Sequence, residues 1–290
     1  MEPDGVTKVL LAPPATLVDD SDRQHIRQRL LREIPTLVER LPVGETTEVT
    51  LALLRQARRH PDALALPDKP FEWKPIFVRR SLGLASIRAC LHGRFHTPSE
   101  AVAPTADEAV AEWHLTGWRS FHWEPWVASL APGARAAVLA EAATWATALW
   151  SSLDWSQFDG LPDLGGPDDQ WTCSAGRTVR LKGRSELRVP LGPVHHVTDG
   201  TTRSDQVVLV SVATGTPAGG WASELGYLAL VAGLRSPARP VPNRVVGLWP
   251  DAGLYRAVDI DRSALAQAAN LVVSTVAAFV HARLAKTGVP

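Results

Sequence analysis

The chain has 290 residues and a mass of 31.3 kDa, with 30 basic and 30 acidic side chains and a formal charge of zero at pH 7. At 45% hydrophobic and 21% charged residues it has the composition of an ordinary globular protein, long enough for one large domain or two small ones. The charge balance excludes attachment to nucleic acid or membrane by bulk electrostatics, and two cysteines, Cys90 and Cys173, exclude a disulfide framework or a four-sulfur zinc site. Acidic residues come first and the apolar run after them is too short for a signal peptide, so the expected compartment is the cytoplasm.

The first half reads as helical. Ser21-Asp22-Arg23-Gln24 has capping-box spacing, and Ile26, Leu30, Ile34, Leu37 and Leu41 recur at helical period, with Pro35 expected to kink or split the element. A second helix is expected over 47–60, ending in Arg55, Arg58, Arg59 and His60, which suit the negative end of a helix dipole. The segment 62–75 is proline-rich, and 79–91 reads as a third helix with Leu82, Ile87 and Leu91 on one side. Thr97-Pro98-Ser99-Glu100 and Thr105-Ala106-Asp107-Glu108 both fit capping boxes, and 132–149 is an Ala-rich helix. Seven of the eleven tryptophans fall in 113–155; basic residues are scarce there, so packing is the expected role rather than base stacking.

The character changes near residue 160. The segment 159–169 reads as a loop, and 177–189 as a hairpin or bent strand pair, with Val179/Leu181 and Leu187/Val189 flanking Lys182-Gly183-Arg184. The run 206–212 has the pattern of a strand buried on both faces. A helix over 221–234 and strands over 244–249 and 254–258 follow. Asp259 or Asp261 is expected to cap a last helix over 263–284, whose polar interruptions mark a core helix rather than a membrane span. A strand, a helix and another strand in that order imply a right-handed crossover in a mixed sheet. The expected division is a mainly helical, Trp-rich region over 1–158 and an α/β core over 170–290.

Three strings in the second half carry a likeness. Gly183-Arg184-Ser185-Glu186-Leu187, then Val210-Ser211-Val212-Ala213-Thr214-Gly215, then Glu224-Leu225-Gly226-Tyr227-Leu228-Ala229-Leu230 resemble the motifs of the PD-(D/E)XK nuclease superfamily, particularly its RecB-like branch, over about 176–280. The resemblance implies a restriction-endonuclease-like mixed-sheet core preceded by a helical N-terminal region. In that family the first string supplies a metal-binding acid, the second an acid and a lysine, and the third a glutamine and a tyrosine. Here Glu186 stands for the first acid, while Ser211, Ala213, Glu224 and Leu228 occupy the second acid, lysine, glutamine and tyrosine positions. Metal-assisted phosphodiester hydrolysis needs carboxylates around a hard cation and a group that activates or steadies water. The eroded positions imply a catalytically inactive, nuclease-like protein without a cofactor, acting as a DNA-binding or scaffolding component in DNA metabolism or defence.

Two alternatives stand beside it. Lys182, Asp199 or Asp205 restore the missing groups and make an active nuclease dependent on Mg2+ or Mn2+; or the Trp-rich helices form a protein-interaction module that has no role for nucleic acid. A protein partner fits the first reading as well, and a membrane fits none of them. The expected DNA contacts are Arg180, Lys182 and Arg184, which share a strand face unless Gly183 bends the pair, with Arg79 and Arg80 as a weaker addition. A solvated outer face explains the same charges. No metal site is expected from His195-His196 or from His92 and His96, because neither pair has further ligands at suitable spacing. The Gly-rich run 214–220 lacks a phosphate-loop lysine, and the cysteines are expected to be inert packing residues.

Overall fold

A computed structural model describes residues 2–14, 18–65, 72–116, 123–158, 162–165, 168–174, 176–196, 202–213, 215–236 and 240–287. The protein is α/β, with mixed sheets and a helical N-terminal region. Its helices are α1 (Pro3–Leu11), α2 (Asp20–Val38), α3 (Leu51–Arg59), α4 (Pro75–Leu91), α5 (Pro98–Thr116), α6 (Trp123–Ser129), α7 (Pro132–Trp150), α8 (Trp221–Arg235) and α9 (Arg262–Thr287). Its strands are β1 (Thr46–Val49), β2 (Asp163–Leu164), β3 (Asp169–Ser174), β4 (Thr178–Gly183), β5 (Leu187–His196), β6 (Thr202–Val212), β7 (Arg244–Trp249) and β8 (Leu254–Asp259).

The five-stranded sheet runs β2-β5-β6-β7-β8, with β6 and β7 parallel and the other neighbours antiparallel. Alternation along β6 sends Val208, Val210 and Val212 to a core shared with α1, α4 and α7, while Val207 and Leu209 face α8 and α9. The sheet is therefore covered on both sides, as the continuous apolar run requires. Helix α8 is the crossover between the parallel strands, and nearly all of its length is buried. Helix α9 is long and apolar enough to cross a bilayer, yet Ala268, Ala269, Val272 and Val276 are fully enclosed in the core beside α2 and α8. Asp261 caps it, accepting from Ala264 N–H at 2.7 Å.

A second sheet, β1-β4-β3, corrects two expectations. The segment 47–60 is not one helix: Thr46 to Val49 is a strand parallel to β4, with Thr47 and Val49 inward, and Thr50 caps α3 by accepting from Leu53 N–H at 3.2 Å. Three β-branched residues in four, alternating in burial, outweigh the helical period that begins at Leu51. Nor do β4 and β5 form a hairpin. β4 pairs with β1 and β3, β5 pairs with β2 and β6, and residues 184–186 carry the chain from one sheet to the other. Within the expected loop over 159–169, Asp163–Leu164 is β2 and Asp169 opens β3.

Smaller differences have local causes. Asp19, not Ser21, caps α2 through Asp22 N–H at 2.8 Å. α2 continues through Pro35 because Ile34 and Val38 are buried on the same face. α5 passes through Pro104 and the expected cap at Thr105, held by Ala101, Val102 and Ala106 in the helical core. Of the tryptophans, Trp123, Trp145, Trp171 and Trp249 are buried, and Trp150 stacks on Trp155 with ring centroids 5.2 Å apart; Trp118 lies outside the described residues. Trp123 and Trp145 therefore pack in the core. A Cβ on Gly83 would lie 2.5 Å from the Trp145 ring, so α4 and α7 need glycine there to approach.

Tyr227 joins the two halves. Fully buried on α8, its hydroxyl donates to Val49 C=O at 2.6 Å and accepts from Lys182 N–H at 3.2 Å, at the point where β1 and β4 part. Burial pushes its phenol pKa up, so it remains a neutral donor. Replacing it by phenylalanine strands both backbone groups, and Tyr227→Phe is expected to lose about 1–3 kcal/mol in urea unfolding.

Candidate anion-binding cleft

The C-terminal ends of the parallel strands β6 and β7 open into a cleft of about 560 Å³, the place where open α/β sheets present ligand sites. Ser211, Val212, Ala213 and Trp249 form its floor; α3, α4 and the start of α8 supply walls, and the end of β4 reaches its edge. Among the described residues six cations line it (Arg55, Arg59, Arg79, Arg80, Lys182 and Arg184) against two carboxylates, Asp168 and Glu224. A chain of zero net charge has concentrated positive charge at one place.

Of the residues singled out in the sequence, Ser211, Ala213, Glu224, Lys182, Arg184, Arg79 and Arg80 line this cleft. Glu186 lies beneath it with no exposed surface. Its backbone joins β5 to both neighbours, donating to Val210 C=O and accepting from Gly165 N–H, each at 2.8 Å. Its carboxylate accepts from Val212 N–H at 2.5 Å and forms an ion pair with Arg80 from α4. Burial first, then the charge of Arg184, lowers the Arg80 guanidinium to about 10, with Asp168 opposing; it is still a cation at neutral pH. Arg80 thus balances Glu186 from within the protein.

Glu224 is held as firmly. Arg55 reaches its Oε2 with Nε at 3.0 Å and Nη2 at 2.8 Å, and Arg58 reaches Oε1 at 2.5 Å. Arg58 lies against Gly220, where a side chain would collide with its guanidinium, so the left-handed glycine at the start of α8 makes room for the clamp. Leu228 is buried on α8 and close to Gly183, part of the core rather than the cleft lining.

The basic ridge is divided. Arg180 and Lys182 share a face of β4, but both pair with Glu48 of β1, at 3.0 and 2.7 Å, and Arg180 is not in the cleft. Arg184 lies past the strand end, 3.8 Å from Asp168. The alternation that places Arg180 and Lys182 together does not reach Arg184, because the chain leaves the sheet at Gly183. Lys182, the migrated-lysine alternative, has Glu48 as its partner.

The other restoring acids lie elsewhere. Asp199 falls outside the described residues, as do the side chains of Asp205 and the pair His195-His196. The backbone of Asp205 is six residues before Ser211 along β6, about 20 Å away at strand rise. Among the described residues no group of three His, Cys, Asp or Glu side chains is placed to hold a metal ion. The donors at the strand ends do not suit Mg2+ or Mn2+: one carboxylate already ion-paired with a guanidinium, one hydroxyl and one methyl group. Cys90 and Cys173 are buried with thiol pKa values raised chiefly by that burial, as packing residues are.

Arg55 and Arg59 were visible in the sequence only as a helix-ending cluster; what makes them cleft residues is the packing of α3 beside α8. Arg59 and Arg79 have no carboxylate partner among the described residues. Asp169 is a further buried acid that the sequence did not mark, clamped by Arg188 at 2.7 Å and Arg235 at 2.9 Å. No protein-family model matches the chain, and no curated protein matches it.

Two outcomes follow from the charge pairs. Arg80→Met leaves the enclosed Glu186 carboxylate without its cation and is expected to destabilise the fold by about 3 kcal/mol, the low end for a buried pair because Arg80 is partly exposed; adding Glu186→Gln is expected to recover most of the loss in urea unfolding. For Glu48, the Lys182 hydrogen bond most of all, with the charge of Lys182 and then Arg180, holds the carboxyl below its ordinary 4.5 against the opposing pull of partial burial. A lowered folded-state value contributes stability above pH 4.5 that disappears as pH falls through the folded value. Glu48→Gln is expected to flatten that acid limb by about 0.2–1 kcal/mol, since the pair is exposed enough to be screened, as read from melting temperature against pH.

Proposed function

We propose that the chain is a nuclease-like protein that binds nucleic-acid phosphates in this cleft and does not hydrolyse them. One observation carries the reading: at the strand ends, where the resemblance puts a divalent metal, Glu186 is spent on Arg80. A guanidinium there supplies positive charge and forked donors for phosphate oxygens. It generates no nucleophile. Ser211 and Ala213 add neither the second carboxylate nor the ammonium, and the lysine nearby, Lys182, is engaged by Glu48. On this reading Arg59 of α3 and Arg79 of α4, which line the cleft, take the phosphates. The local confinement of charge favours a DNA-binding or scaffolding component that works at a delivered site over one that scans freely.

Binding of labelled DNA followed across a salt series tests this. Affinity is expected to fall steeply with salt, and Arg59→Ala with Arg79→Ala is expected to reduce the log–log slope by roughly 0.7–0.9 for each phosphate contact removed, with an unchanged melting temperature. No cleavage is expected with Mg2+ or Mn2+. Metal-dependent cleavage that vanishes in Glu186→Ala would establish an active enzyme instead. Absence of salt-dependent binding would remove nucleic acid altogether and leave the protein-interaction reading.

A further inference from the structure

The carboxylates that touch the cleft cations are not held alike. Glu186 is closed by Val212 N–H and Arg80, Glu224 by Arg55 and Arg58, and Glu48 by Lys182 and Arg180, with short hydrogen bonds in each set. Asp168 is different. Its ion pair with Arg184 Nε spans 3.8 Å, past hydrogen-bond reach, and no hydrogen bond closes its carboxylate among the described residues. Both side chains stand well in solvent, Asp168 at 50% and Arg184 at 42% exposure. An exposed pair of this kind contributes little and exchanges readily.

Asp168 also acts on a second guanidinium. Burial is the largest influence on Arg80; after it come the charge of Arg184, which pushes the Arg80 pKa down, and that of Asp168, which opposes. Arg80 comes from α4 and Arg184 from the crossing between the sheets, and all three side chains line the cleft. One carboxylate therefore lies where it offsets the mutual repulsion of two guanidinium groups, and Glu186 holds the first of them from beneath. An anion entering the cleft meets the same two cations. Phosphate oxygens accept forked guanidinium bonds at closer range than Asp168 has with Arg184. Resting on the phosphate-binding reading above, we infer that Arg80 and Arg184 form a subsite for one phosphate group, and that Asp168 is a built-in competitor that holds this place in the free protein and yields it on binding.

Binding of labelled DNA by the full chain tests this. Asp168→Asn is expected to tighten binding roughly two- to fivefold, the worth of one exposed ion pair that the ligand must break. Arg184→Gln is expected to weaken it and to lower the log–log salt slope by roughly 0.7–0.9, as the loss of one phosphate contact does. In the Arg184→Gln background the gain from Asp168→Asn is expected to shrink to roughly half or less. An equal gain in both backgrounds is a general field effect and overturns the inference, as does an unchanged affinity in Asp168→Asn; either leaves phosphate binding elsewhere in the cleft intact. Both side chains are exposed, so the variants are expected to fold, and melting temperatures without ligand check this. Inorganic phosphate in place of DNA separates the subsite from the nucleic-acid reading: it is expected to raise the melting temperature, most in Asp168→Asn and least in Arg184→Gln. That order without DNA binding keeps the subsite and overturns the nucleic-acid reading. No response to phosphate and no salt-dependent DNA binding overturn both.

Discussion

Buried carboxylates near the cleft are held by arginine, and the architecture depends on that pairing. Glu186, Asp169 and Glu224 are each almost without exposed surface, and an unpaired ionised acid in such a place costs several kcal/mol. Arg80 ties the start of β5 to α4, Arg188 and Arg235 tie β3 to β5 and α8, and Arg55 and Arg58 tie α8 to α3. These links join the two sheets and fix the cleft walls at their charged rims. A lysine would not do the same work, since its single ammonium cannot fork across a carboxylate or lie flat against a neighbouring glycine.

The pairing also decides what chemistry remains. Oxygen ligands committed to guanidinium groups are not free to surround a hard divalent ion. The charge left over is positive, and it lines the cleft. On the proposed reading, a scaffold suited to cutting a phosphodiester holds one instead.

Much of the second half was legible in the sequence, because its signals are strong and local. The run 206–212, the amphipathic stretch after Gly220, the strands at 244–249 and 254–258, and the cap at Asp261 each depend on residues within a turn or two of one another. The strings around Glu186, Ser211 and Glu224 did point to residues that meet at one cleft or directly beneath it. Less legible were β1 and β3. Each is short and polar on its outer face, and each is a strand because β4 lies beside it, a partner that is more than 100 residues away in the case of β1.

Sequence by itself determined the α/β class, the buried central strand, the helical crossover and the scarcity of metal-binding acids at the strand ends, since periodicity and residue identity do not depend on where the chain goes. Only the tertiary structure decided that 177–189 feeds two sheets rather than one hairpin, that Arg180 turns to Glu48 and away from the cleft, and that Arg80 reaches Glu186. The physical reason is that an ion pair between groups over 100 residues apart leaves no local pattern. The guanidinium and the carboxylate are each unremarkable in their own segment, and only packing of α4 across the sheet encloses the carboxylate, partly covers the guanidinium and forces them together.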